Sequence, residues 1–110
     1  MIERDDIIKI DRSYFEIVEI KDFVIVIRSR NTGHYWCLQE QMPNNSRSFL
    51  ISHKHHQYNP YHRQKNRPTV EACCEYIRSH DFYQMEKDRR KEKNRMCRQI
   101  EKHGKKTLPR

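Results

Sequence analysis

Apolar and charged residues alternate in the first quarter of the chain, and this pattern predicts a β-hairpin. Residues 14–20 form one β-branched and aromatic run, residues 23–27 form a second, and only Lys21 and Asp22 separate them. The isoleucines among residues 7–10 form either a short edge strand or a segment that lies across the core.

The second strand of this hairpin is expected to present two different faces, because alternate side chains of a strand point to opposite sides. Phe23, Ile25 and Ile27 fall on one face, and Val24, Val26, Arg28 and Arg30 fall on the other. The face that ends in two arginines is the one expected to meet solvent or a ligand. The alternative is that the arginines only keep the sheet soluble.

The pattern after the hairpin predicts two more strands and a helix. Gly33 supplies the backbone freedom for a turn into a strand at residues 34–39, and residues 48–52 form a fourth strand after a polar loop. Thr69 is a good helix cap, and apolar residues at helical spacing predict an amphipathic helix from residue 70 to about 83.

The predicted fold class is therefore α+β, a three- to four-stranded antiparallel β-meander with one packed helix and a C-terminal basic helical extension. We assign residues 1–84 to a small domain and residues 85–110 to a largely solvated basic helix with a disordered tail.

The two parts of the 110-residue chain differ in charge. The formal net charge of the whole chain is +8. Residues 86–110 carry 11 Lys and Arg against 4 Asp and Glu, whereas residues 1–85 carry 12 against 11. A basic surface attracts polyanions by Coulomb attraction and counterion release, so nucleic acid is the first partner to consider, ahead of acidic proteins or a membrane.

The spacing of the cysteines bears on the cellular compartment of the protein. Cys37, Cys73, Cys74 and Cys97 have no CxxC spacing, and the sequence contains neither a signal-peptide pattern nor a spanning apolar segment. We expect a cytoplasmic protein with reduced thiols.

Candidate chemistry is concentrated in residues 52–67, which hold four histidines, two tyrosines and four basic residues. No carboxylate occurs anywhere in residues 41–70. If the fourth strand stays extended, His53 and His55 project to the same side as its apolar residues Phe49 and Ile51. The chain has no glycine-rich phosphate loop, nucleophile elbow or usefully spaced carboxylate pair, which argues against nucleotide hydrolysis and glycosidase chemistry.

A transition-metal site is one interpretation of the His-x-His pair, since a strand places two such imidazoles about 7 Å apart on one face. The third ligand would come from His62, His80, Asp81 or His34. The basic surroundings repel a cation, so polar or packing roles for the histidines are favoured over a metal such as zinc.

A metal-free acid–base site is a second interpretation, typical of small ribonucleases. His53, His55, His62 and His80 would supply the acid and the base, with Lys54 or Arg63 stabilising charge.

Binding without catalysis is the third interpretation and the one the sequence favours. The candidate nucleic-acid-binding residues are Arg28, Arg30, Lys54, Tyr58, Tyr61, Arg63, Lys65, Arg67, Arg89, Arg90, Lys91 and Lys93. The alternative without a binding function is a soluble loop with a charged tail.

Four short motifs resemble those of a group of small uncharacterised bacterial proteins found in Gram-positive genomes and mobile elements. The matching stretches are residues 31–36, 53–55, 61–62 and 69–83, within a region that spans residues 14–83. The resemblance implies that this region is one domain and that the basic extension is additional. It implies no activity.

These observations lead to one expected function and two alternatives. We expect a non-enzymatic accessory or regulatory protein of a phage or mobile element that binds nucleic acid or a nucleoprotein. The first alternative is an inhibitor of a bacterial defence nuclease such as a CRISPR effector, and the second is a histidine-dependent nuclease.

Overall fold

The computed structural model describes the secondary structure of residues 1–107 and the side chains of residues 1–101. Its elements in chain order are α1 (Arg4–Ile8), β1 (Phe15–Ile20), β2 (Val24–Ser29), β3 (Tyr35–Gln41), β4 (Ser48–Lys54), β5 (His62–Arg67) and α2 (Val70–Thr107). The predicted α+β class is confirmed. Part of the predicted disordered tail, residues 108–110, lies outside the described residues.

The strands form one antiparallel sheet in the order β1-β2-β3-β4-β5, so each strand pairs with its neighbours in the chain. The predicted meander is therefore confirmed, but the predicted number of three to four strands is wrong. The fifth strand is β5, which lies between the last predicted strand and the predicted helix, where no strand was expected.

The pattern of apolar residues could not identify β5, because every one of its residues is polar. Five of its six residues are exposed, and it pairs with β4 through backbone hydrogen bonds at the edge of the sheet. Charged side chains on an edge strand discourage pairing with another chain. This composition suits an edge position. It also gives the strand no apolar face by which it could be predicted from the sequence.

The N-terminal segment forms the short helix α1, so the alternative of an edge strand there is wrong. A capping box explains the helix: Glu3 accepts from the backbone of Asp6, and Asp6 accepts from the backbone N–H of Glu3 at 2.8 Å. The isoleucine that follows the helix, Ile10, is buried in the core.

One face of the sheet builds the core. Ile25 and Ile27 of β2 are fully buried, whereas Val24, Val26 and Arg28 alternate with them towards the opposite face, which confirms the predicted alternation. The buried face also receives the following side chains: Phe15, Trp36, Leu38, Phe49, Ile51, Val70, Cys73, Cys74 and Ile77.

Helix α2 covers this core with its first three turns and then continues as one helix through the predicted boundary near residue 84. Thr69 caps it as predicted, since its hydroxyl accepts from the N–H of Ala72 at 3.0 Å. Near the end of the part that covers the core, Asp81 is buried and Phe82 is exposed. In the described part of the chain, no helix has the length and apolarity needed to cross a bilayer.

The opposite face of the sheet is not covered by any helix of residues 1–107. We call it the open face. Paired residues of neighbouring strands place Val26, Cys37 and Ser52 in one row across it, and Arg28, Tyr35 and Lys54 in the next. This arrangement leaves a platform of side chains accessible from one side.

Arg47 ties the N-terminal segment to the sheet. Its guanidinium donates to both carboxylate oxygens of Asp6, at 2.9 and 2.6 Å, and to Glu40 at 3.1 Å. The Glu40 side chain is only 4% exposed. The hydrogen bonds from Arg47 hold the pKa of both carboxyl groups below the ordinary range, although burial opposes this effect.

We expect Arg47→Ala to lower the free energy of unfolding by about 2–3 kcal/mol, because it removes the hydrogen bonds of the guanidinium to Asp6 and Glu40 and leaves Glu40 with the N-terminal ammonium, which donates to it at 2.8 Å. Because both folded-state pKa values are lowered, the stabilisation is complete above about pH 5 and is lost as pH falls further. Urea denaturation at neutral and acidic pH measures both effects. The control is Arg4→Ala on α1, and equal stability of the two variants would contradict the role of Arg47.

Candidate functional site

A cluster of three histidines lies at the end of the sheet where β3 begins and β4 ends. His34 ends the β2–β3 turn, His53 is in β4, and His55 follows β4 directly. Their nearest ring nitrogens all lie within 4.8 Å of one another. We call these three residues the histidine cluster.

Contacts within the cluster are close. His53 Nε2 lies 3.0 Å from His34 Nδ1, a hydrogen bond in which one nitrogen carries the proton and the other accepts it. The rings of His34 and His55 stack with their centroids 4.1 Å apart and 10° between their planes. The three imidazoles are thus held close together, with one ring nitrogen of each within 4.8 Å of the others.

The cluster rests on Trp36, which is fully buried. The indole stacks on the His53 ring at 4.1 Å, and its Nε1–H donates to the hydroxyl of Ser29 at 3.1 Å. The His80 ring from α2 meets the edge of the indole at 5.1 Å. His53 itself is only 5% exposed, so packing fixes its ring.

The same packing disfavours the charged form of His53, His34 and His80. Burial, with smaller contributions from the neighbouring imidazoles, lowers the pKa of His53 to about 3. The pKa values of His34 and His80 are lowered as well, again chiefly by burial. A neutral imidazole has one ring nitrogen with a free lone pair. This nitrogen can bind a metal ion or accept a proton.

Asp81 holds the turn that carries His34. It is fully buried, and its carboxylate accepts from the Tyr14 hydroxyl at 2.7 Å and from the Thr32 hydroxyl at 3.2 Å. Thr32 Oγ1 in turn accepts from the backbone N–H of His34 at 3.2 Å. Burial and the hydrogen bond to Asp81 raise the pKa of Tyr14 to about 12. Helix α2 is thereby connected to β1 and to the β2–β3 turn.

The structure brings the predicted site histidines to one cavity, whereas the predicted ligand Asp81 does not join them. The predicted projection of His53 towards the apolar side is confirmed, and His55 stacks on His34 from the loop after β4. A cavity of about 430 Å³ beside the cluster is lined by His53, His55, His62 and His80, together with Lys54, Asn59, Pro60, Gln64 and Gln84. Asp81 directs both carboxylate oxygens to hydroxyl groups, not to this cavity.

On the open face, cations alternate with tyrosine rings. The Arg28 guanidinium carbon lies 5.4 Å from the centre of the Tyr35 ring, and Lys54 Nζ lies 5.4 Å from the same ring. Lys54 Nζ also lies 4.4 Å from the centre of the Tyr61 ring. A shallow depression of about 440 Å³ runs along these residues and includes Val18, Val26 and Tyr58. We call Arg28, Tyr35, Lys54 and Tyr61 the cation–tyrosine row.

The other predicted binding residues lie on three surfaces. Arg63 is paired with Ser52 of the open face, whereas Lys65 and Arg67 are paired with the core-facing Ile51 and Phe49. Arg30 lies beyond the end of β2, and its guanidinium donates to the carbonyl of Arg12 at 3.0 Å. Tyr58 is 91% exposed in the β4–β5 loop. On α2, away from the sheet, lie Arg89, Arg90, Lys91 and Lys93, all exposed.

Tyr35 was not among the predicted binding residues, and His34 was predicted only as a third metal ligand. The alternation of residues 34–39 would have placed Tyr35 on the same face as Cys37. Its position beside Arg28 and Lys54 depends on the register of three strands, which the alternation does not give.

Comparison with known proteins gives no relative: no family model matches the chain, and neither does any curated protein or solved structure.

Proposed function

We propose that this protein binds single-stranded nucleic acid on the open face of its sheet. The observation that carries the proposal is the cation–tyrosine row, in which Arg28 and Lys54 flank the accessible ring of Tyr35. Single strands are bound without strong sequence preference by surfaces that combine aromatic rings for base stacking with cations for the phosphates.

The row provides both kinds of contact at a suitable spacing. Tyr35 and Tyr61 offer two rings, and Lys54 lies between them. Burial raises the pKa of Tyr61 to about 12, so its phenol stays neutral and does not repel phosphate at physiological pH. A base stacked on either ring would have its phosphate within reach of a cation.

A single strand fits this face better than a duplex. The row is a shallow depression in a sheet, and in a duplex the bases are stacked on each other and cannot stack on a protein ring. The open face therefore favours bases that are already unpaired. Stacking would contribute about 1–3 kcal/mol for each base.

Charge is distributed unevenly across the open face. No carboxylate occurs in residues 41–70, which include all of β4 and β5, whereas Glu16 and Glu19 border the depression on the β1 side. A polyanion is attracted to the β4 side and repelled near β1. Basic residues on α2 beyond residue 85 add attraction that does not depend on sequence.

The test compares two substitutions that remove the same charge from different places. Lys54→Gln removes the cation that lies between Tyr35 and Tyr61. Lys9→Gln removes an exposed lysine near α1. Affinity for fluorescently labelled oligo(dT) and oligo(U) is measured by anisotropy over a series of salt concentrations.

We expect the wild type to bind with a strong salt dependence and Lys54→Gln to bind more weakly. The slope of log K against log salt should become shallower by about 0.7 for one lost phosphate contact on a single strand. Lys9→Gln should leave affinity and slope unchanged. Undetectable binding by the wild type at low salt, or equal effects of the two substitutions, would contradict the proposal.

A further inference from the structure

The histidine cluster has the composition and spacing of a transition-metal site. His34, His53 and His55 come from three different backbone positions, and their ring nitrogens lie within 4.8 Å of one another. In a tetrahedral zinc site with Zn–N bonds of about 2.0–2.1 Å, two ligand nitrogens are about 3.3–3.4 Å apart. The 3.0 Å between His53 Nε2 and His34 Nδ1 is close to that value.

Two of the three ligands are already held in place. Stacking on Trp36 fixes His53, and the hydrogen bond from the His34 N–H to Thr32 fixes the turn that carries His34. His55 is exposed and lies beyond the end of β4. Its ring lies parallel to that of His34, so it has to turn about its side-chain bonds to direct a nitrogen at the same ion. Its position in the loop allows this movement.

We propose that His34, His53 and His55 bind one divalent transition-metal ion of the zinc class. Imidazole nitrogens suit zinc, copper and nickel, whereas magnesium and calcium require oxygen ligands. All three groups are neutral donors, so binding leaves the ion with its full positive charge. The site is separate from the open face and does not depend on the function proposed for that face.

The neighbouring cavity defines what else the ion contacts. Three protein ligands leave a fourth position of a tetrahedral ion open to water or another small ligand. The cavity of about 430 Å³ lies beside His53 and His55 and provides room for that ligand. His80 also lines it, and among the described residues its buried Nδ1 has no hydrogen-bond partner.

The test is a titration of the chelator-treated full-length protein with Co²⁺, followed by competition with Zn²⁺. Visible ligand-field absorption reports Co²⁺ in the site, and long-range ¹H–¹⁵N spectra of the imidazoles report which nitrogens bind Zn²⁺. The variants are His34→Ala and His55→Ala, and the matched control is His56→Ala, an adjacent exposed histidine outside the cluster. Cys97→Ser controls for binding at the exposed thiol.

We expect one ion per chain, with affinity reduced in His34→Ala and His55→Ala by more than the roughly 10- to 100-fold loss typical of changes to outer-shell partners. His56→Ala and Cys97→Ser should bind as the wild type does. His55 is exposed, so its loss is not expected to unfold the protein, and the test does not depend on the buried His53. Absence of Co²⁺ absorption in the wild type, unchanged affinity in His55→Ala, or loss of binding in Cys97→Ser would each overturn the proposal.

Discussion

Replacing Asp81 with alanine is expected to lower the free energy of unfolding by about 3 kcal/mol. The substitution removes a fully buried acceptor and leaves the hydroxyls of Tyr14 and Thr32 without it. Hydrogen bonds to a charged group contribute about 1.5–3 kcal/mol each, and the two share one carboxylate. Because these bonds connect α2 with β1 and the β2–β3 turn, the loss affects packing on both sides of the core.

Graded variants distinguish lost hydrogen bonds from a general disturbance of the helix. Asp81→Asn keeps the size of the side chain and one acceptor oxygen, so we expect a smaller loss of about 1–2 kcal/mol. Tyr14→Phe should cost a similar amount. The control is Asp88→Ala, on an exposed part of the same helix. Urea denaturation gives each value, and equal stabilities of Asp81→Ala and Asp88→Ala would refute the assigned role.

Removing either ring of the cation–tyrosine row should have the largest effect on function. Tyr35→Ala and Tyr61→Ala each remove a surface on which a base can stack, worth about 1–3 kcal/mol. Affinity for a single-stranded oligonucleotide should therefore fall roughly 5- to 150-fold for each substitution. Neither substitution changes the net charge of the protein. Fluorescence anisotropy at one fixed, low salt concentration therefore measures the loss of affinity that comes from stacking.

The matched control for the tyrosines is Tyr83→Ala, an exposed ring on α2. It should leave affinity close to that of the wild type. Duplex DNA should bind all four proteins with similar affinity, because stacking contributes only to unpaired bases. If the tyrosine variants bind single strands as tightly as Tyr83→Ala does, the row is not the binding surface.

The sequence predicts most of the sheet because burial follows the alternation of residues in β2, β3 and β4. It fails for β5 and α1 for different physical reasons. β5 is an edge strand without an apolar side chain, so its pairing depends only on backbone hydrogen bonds. α1 is one turn held by a local capping box, which outweighs the strand preference of its isoleucines.

The candidate sites depend on the register between strands, which the alternation of side chains does not specify. Period two correctly placed His53 on the buried side, but its proximity to His34 requires the pairing of Trp36 with His53 across β3 and β4. The position of Tyr35 between Arg28 and Lys54 likewise requires two registers to be known. Residue types pointed to residues 52–67, and tertiary pairing selects the residues that act together.

Photo-cross-linking tests the central claim most directly, because it identifies the side chains that touch the bases. A single-stranded oligonucleotide with photoreactive bases is irradiated with the full-length protein at low salt, and cross-linked peptides are identified by mass spectrometry. Binding on the open face predicts cross-links to Tyr35 and Tyr61. Cross-links confined to α2, including Tyr76 on its sheet-covering part, would contradict it.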